Sequence, residues 1–204
     1  MKFKKYINES SLSRLWNHMQ EHDSGTITAF RDGETDDGGN VVKTYSKKEN
    51  KARNKMLLAN LQNFSVTRVK GSYIENFKTK MAKEVREDVY FVVDHNDRGD
   101  LEGVLKKLGQ KFNQDSIMFI PKGTNTGILW GTKKDKYSNK LAFPKFGTKE
   151  SFPKAVWSKE TEFTTKIKNR PFSFIKEDKD ITKMFENKTA HYISLMHPDD
   201  WEKI

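Results

Sequence analysis

The chain has 204 residues, 32% of them charged, with a net charge of +10 and no cysteine. That length suits one domain with a real core. The missing thiols exclude a disulfide framework, a thiolate zinc site and a Cys nucleophile, and fit an intracellular or virion setting. No apolar run approaches the roughly 20 residues needed to span a bilayer, and Lys2, Lys4 and Lys5 have no apolar segment behind them to make a secretory signal.

Elements follow in chain order. Leu12, Leu15, Trp16 and Met19 recur at i, i+3, i+4 and i+7, which predicts a helix over 11–21. TITAFR (26–31) reads as a strand, and DGETDDGGNVV after it as an acidic loop. SKKENKARNKMLLANLQNF predicts a helix over 46–64, with Leu57, Leu58, Leu61 and Phe64 on its apolar side. Lys47, Lys48, Lys51, Arg53 and Lys55 crowd its first half, where cations oppose the macrodipole. SVTRVKGSYI (65–74) reads as a strand, and VYFVVD (89–94) as one buried on both faces.

Leu101, Val104, Leu105, Leu108 and Phe112 predict the cleanest helix. SIMFIP (116–121) and GILWGT (127–132) follow as paired strands around the KGTNTG turn. From about residue 132 the chain is loop-rich. TEFTTKI and RPFSFI suggest a hairpin across KNR, and a short helix is expected at 178–187. The sum is an α+β domain over 10–204, a mixed central β-sheet flanked by about four helices.

Candidate chemistry is scattered. His22-Asp23-Ser24 places three catalytic residue types together, but triad members are brought together by a fold, so a turn is expected there. His95, between Asp94 and Asp97, sits in a stretch read as an exposed turn that could also hold a hard metal or phosphate. Glu75, Glu84, Glu87, Asp88 and Asp94 form an acidic cluster, for which Lys78, Lys80, Lys83 and Arg86 are the expected partners. As a Mg²⁺ site it would suit a metal-dependent enzyme acting on nucleic acid or a nucleotide, the alternative function. Arg31, Asn54, Tyr73, Glu84 and Gln114 fall at strand ends or on the basic helix. Converging, they would form a small polar pocket for an anionic ligand. Residues 130–149 alternate lysines with Trp130, Tyr137, Phe143 and Phe146, a pattern suited to single-stranded nucleic acid. Lys133, Lys134, Lys136, Tyr137, Lys140 and Lys145 are the candidates there.

The first nine residues, MKFKKYINE, place Phe3, Tyr6 and Ile7 on one face and end on Ile7-Asn8-Glu9. In that arrangement they resemble the capsid-targeting prefix of internal head proteins of T-even-like tailed phages. The resemblance implies a prohead protease cutting between Glu9 and Ser10, packaging in the virion head with phage DNA, and delivery to the host cytoplasm. The expected partners are then phage DNA or the capsid scaffold, the protease, and a host defence protein, with no membrane. On this reading the chain is a basic, DNA-associated virion protein rather than an enzyme, and needs no cofactor. Residues 25–120 also resemble a family of small bacterial and phage domains of unknown function, through TITAF, Asn50/Arg53/Asn54 and LGQKFNQDSI. That similarity implies a fold and no activity.

Overall fold

The computed structural model describes residues 11–36, 40–75, 83–134, 144–152, 154–156, 163–167 and 170–175. The expected prefix and its processing residues Ile7, Glu9 and Ser10 lie outside them, as does the helix expected at 178–187.

Helix α1 (Ser11–Glu21) leads into β1 (Ser24–Ile27) and a hairpin of β2 (Gly33–Thr35) and β3 (Val41–Thr44). Helix α2 (Lys47–Asn60) follows, then the long strands β4 (Ser65–Glu75) and β5 (Lys83–Val93). Helix α3 (Leu101–Lys111) precedes β6 (Ser116–Ile120) and β7 (Gly127–Gly131). Four further strands, β8 (Lys149–Phe152), β9 (Lys154–Val156), β10 (Phe163–Ile167) and β11 (Arg170–Ile175), complete the described chain.

Nine strands form one sheet in the order β8-β7-β6-β1-β5-β4-β10-β11-β9. Every described strand pairing is antiparallel, and an isolated parallel bridge joins Gly131 to Phe146. The class is α+β, with three helices among the described residues. The expected hairpin across KNR is present, with Ile167 opposite Arg170. Through β10 it joins β4, so the loop-rich final third belongs to the same sheet.

The two sides of the sheet bury alternate residues, as the two-residue period of a strand requires. Phe91 and Val93 face α1, packing with Leu15, Met19 and Ile120. Tyr90 and Val92 face the other helices, packing with Leu57, Leu61, Leu101 and Leu105. The end of β5, Val89–Val93, is therefore apolar without interruption because a helical layer covers each side. On α2, Leu57 and Leu61 are buried, whereas Leu58 is turned outward and 42% exposed.

Two local expectations fail for identifiable reasons. The strand expected over 26–31 ends at Ile27, because side chains of α2 take the next backbone groups. The acidic loop contains the β2–β3 hairpin, whose β3 residues are all exposed and so show no alternation. Ser46 and Glu49 form a reciprocal capping box at the start of α2. That places a carboxylate among the N-terminal lysines and offsets their conflict with the macrodipole.

Candidate functional site

Helix α2 carries a ladder of polar side chains toward the end of β1. Asn54 accepts from Ala29 N–H at 2.7 Å and donates to the Asp88 carbonyl at 2.8 Å. One turn earlier, Asn50 accepts from Arg31 N–H and donates to the Arg31 carbonyl, both at 2.9 Å. Between them, Arg53 donates to the Ala29 carbonyl at 2.8 Å. Spacing of three and four residues puts all three on one helix face. Segment 29–31 is thus hydrogen-bonded to a helix where a strand neighbour would otherwise be.

The same segment anchors the α3–β6 connection. Arg31 donates to the Gly33 carbonyl at 2.7 Å and the Asn113 carbonyl at 2.6 Å, and both terminal guanidinium nitrogens lie 3.3 Å from the Asp115 carboxylate. Gln114, also buried, donates to the Phe30 and Phe112 carbonyls at 3.2 Å. Of the five pocket candidates, Arg31, Asn54 and Gln114 thus lie around segment 29–31. Their contacts are largely to backbone, which makes the cluster a rigid support for its surroundings.

Tyr45 fixes the neighbouring hairpin. Its ring lies under Arg53 at 4.3 Å and Lys43 at 4.5 Å, and its hydroxyl donates a short hydrogen bond to Glu34. That bond is the main reason the Glu34 carboxyl sits below its ordinary range.

The ladder ends at a charged centre on the sheet. The Asp88 carbonyl accepts from Asn54 and from Thr28 Oγ1, while its nearly buried carboxylate takes short hydrogen bonds from Arg68 and Lys70. Burial pushes the Asp88 carboxyl upward, but the bonds from Lys70 and Arg68 outweigh it and hold it below 3.8. Arg68 and Lys70, on neighbouring β4, are thus partners of Asp88; of the partners expected for the acidic cluster, Lys78 and Lys80 lie outside the described residues.

A pH dependence follows. A depressed folded pKa contributes stability that is present above the unfolded value and lost as pH falls through the folded one. Asp88→Asn is expected to flatten the acid limb of stability below about pH 4, read as urea midpoints against pH. Identical limbs in variant and wild type would refute the assignment.

Tyr73 and Glu84 lie farther along the β4–β5 ladder, where Tyr73 opposes Val85 and Ile74 opposes Glu84. Glu84 is four residues from Asp88 on β5, about 13 Å of extended strand. The acidic cluster is spread along this ladder, with Glu87 opposite Gly71 and Asp88 opposite Lys70. Among the described residues no group of three His, Cys, Asp or Glu could hold a metal ion.

The lysine-rich candidates divide. Lys133 is 5% exposed, its ammonium 3.8 Å from the Asp115 carboxylate, so it belongs to the buried network. Lys134 is exposed over the Phe146 ring at 5.1 Å, and Lys145 is exposed. Lys136, Tyr137 and Lys140 lie outside the described residues.

Residues 41–175, from β3 through β11, supply every strand of the large sheet except β1, and with them the polar face of α2 and the Asp88 centre. That stretch matches the family model of the S-adenosylmethionine lyase family, and the chain belongs to that family. No curated protein matches the chain. Membership of an enzyme family overturns the expectation of a phage internal head protein acting as basic, DNA-associated cargo. The nine-residue resemblance behind that expectation covers none of the matched stretch. Sequence reasoning missed Arg68, Lys70 and Asp88 as a unit. The available signal was the alternation of Arg68 with Lys70, which puts both cations on one face of a strand.

Proposed function

We propose that this chain is a lyase that cleaves S-adenosylmethionine at a carbon–sulfur bond. The observation that carries the reading is the family match across residues 41–175.

The substrate's chemistry makes modest demands. Its sulfur is a sulfonium cation, already an excellent leaving group. When a carbon–sulfur bond breaks, the bonding pair moves to sulfur and a neutral thioether departs. In a lyase the carbon left behind is satisfied without water, by closure onto the substrate's own carboxylate oxygen or by loss of a neighbouring proton. The protein must bind a carboxylate, an ammonium group and a sulfonium, hold them in a reactive geometry and keep water away.

The β4–β5 ladder has the residue types for this. Arg68 and Lys70 suit the carboxylate. A carboxylate such as Glu84, an even number of residues from Asp88 along β5 and so in phase with it, suits the ammonium or sulfonium. Asn54 ties α2 to β5 through the Asp88 carbonyl. We assign Glu84 to substrate binding on this basis.

The test is incubation of purified protein with S-adenosylmethionine, followed by chromatography and mass spectrometry. Loss of substrate with equimolar appearance of a thioether such as methylthioadenosine is expected. In ¹⁸O-water, no label should appear on the carbon that left sulfur, whereas a hydrolase would place it there. Glu84→Gln should lower kcat/KM on the order of 100-fold, the effect of losing a contact to a charged group. Substrate left intact by the wild-type protein would defeat the proposal.

A further inference from the structure

Two histidine motifs far apart in sequence meet at the end of α1. His95, on the loop after β5, makes edge-to-face ring contacts with His18 at 4.6 Å and His22 at 4.7 Å between centroids. His18 and His22 are one turn apart on α1 and just beyond it, with the His22 N–H donating to the His18 carbonyl. The three imidazoles therefore join α1 to the β5–α3 loop.

Most of the nearby carboxylate oxygens already have other partners. The His22 Nδ1 lies 3.2 Å from Asp97 Oδ1, but the other oxygen of Asp97 is taken by Lys122, from the β6–β7 connection, at 3.1 Å. Asp94 is fully buried; one carboxylate oxygen accepts from Gly99 N–H at 3.1 Å and the other is 3.9 Å from Arg98. Asp23, before β1, accepts from Lys122 N–H. Arg14 and Glu21 are the charged groups of α1 that act on His18, in opposite directions. Among the described residues four buried side-chain polar atoms have no hydrogen-bond partner, and His18 Nδ1, Ser24 Oγ and Asp94 Oδ1 are three of them. All three belong to this junction of α1, β1 and the end of β5.

We propose that the His18–His22–His95 cluster is a proton-operated latch that holds α1 on the sheet at neutral pH and loosens it in mild acid. Adding protons to His95 and to an imidazole it touches sets like charges against one another, and Asp97 is already balanced by Lys122. Release of α1 uncovers Leu15, Trp16 and Met19 together with the sheet face formed by Phe91, Val93 and Ile120.

The sign agrees. Burial, then the charges of His95 and His22, hold the His18 imidazole below 6.5 in the fold. A depressed imidazole pKa contributes stability above the unfolded value that declines as pH falls through it. Imidazole is the side chain suited to that window.

Hydrogen exchange of the whole protein tests the latch. Protection of amides 14–22, corrected for intrinsic rates, should fall about tenfold or more between about pH 7.5 and 5.5 while β5 and β6 amides stay protected. In His18→Gln/His95→Gln that selective fall should vanish. An unchanged α1 in the wild type, or the same selective fall in the double variant, would overturn the latch. A second readout does not depend on the variant folding. The His18 imidazole resonance of the wild-type protein should titrate with the same midpoint as the α1 opening, and separate midpoints would overturn it.

Discussion

Replacing Asn54 with alanine is expected to destabilise the protein by about 3 kcal/mol, because a buried backbone donor loses its acceptor and a buried carbonyl loses a donor. Asn54 is 4% exposed and joins Ala29, itself fully buried, to Asp88 on the central strand β5. No strand neighbour replaces the bond at Ala29, since β1 has ended two residues before. Asn54→Asp would keep the acceptor for Ala29 but set a charged oxygen against the Asp88 carbonyl, so it should be no milder. Asn60→Ala serves as the control. It is on the same helix and exposed; its side chain donates to the Met56 carbonyl one turn back and accepts from Lys111 Nζ at 2.9 Å, both at the surface, so its cost should stay below about 1 kcal/mol. For a chain of this size the Asn54 change corresponds to a fall of about 6–12 °C in Tm. A loss below about 1 kcal/mol would mean that segment 29–31 is held by something other than α2.

The same residue explains what could be read in advance. The helices at 11–21 and 101–111 were legible because each buries a continuous apolar stripe, and a stripe leaves a periodic trace. β6 and β7 were legible as short apolar runs around a glycine turn. Segment 28–31 was not, because Ala29 and Arg31 alternate as a strand would while their hydrogen bonds go to side chains 19 to 25 residues away. The Asp88 centre was half-legible. Its acid lay in the recognised cluster, but its partners Arg68 and Lys70 come from pairing with β4, which composition does not encode. Nor does sequence place His95 against His18, 77 residues away. The family's chemistry stayed hidden for a related reason. A sulfonium asks for ordinary carboxylates, cations and rings, and these have no fixed spacing along a chain.

The second large effect is expected at Gly25, where alanine should cost about 3 kcal/mol, at the upper end for overpacking a core. Gly25 lies in β1 between Val92 of β5 and Phe119 of β6, inside the sheet. A Cβ there would sit 2.5 Å from the Met118 carbonyl oxygen and 2.6 Å from Leu105 Cδ1. The first neighbour is backbone in a strand paired on both sides, by β1 and by β7, and cannot retreat without breaking a ladder. The second is a fully buried leucine on α3. Close approach of helix to sheet at this point therefore depends on the missing side chain. Gly103, on the outer side of α3, has nothing within 4 Å of the equivalent position. Gly103→Ala should instead stabilise by about 0.5–1 kcal/mol, through helix propensity alone. Urea unfolding of the two variants should give shifts of opposite sign. A neutral Gly25→Ala would require α3 to sit farther from β1 than the distances to Met118 and Leu105 allow, and with it the packing that supports β5 behind Asp88.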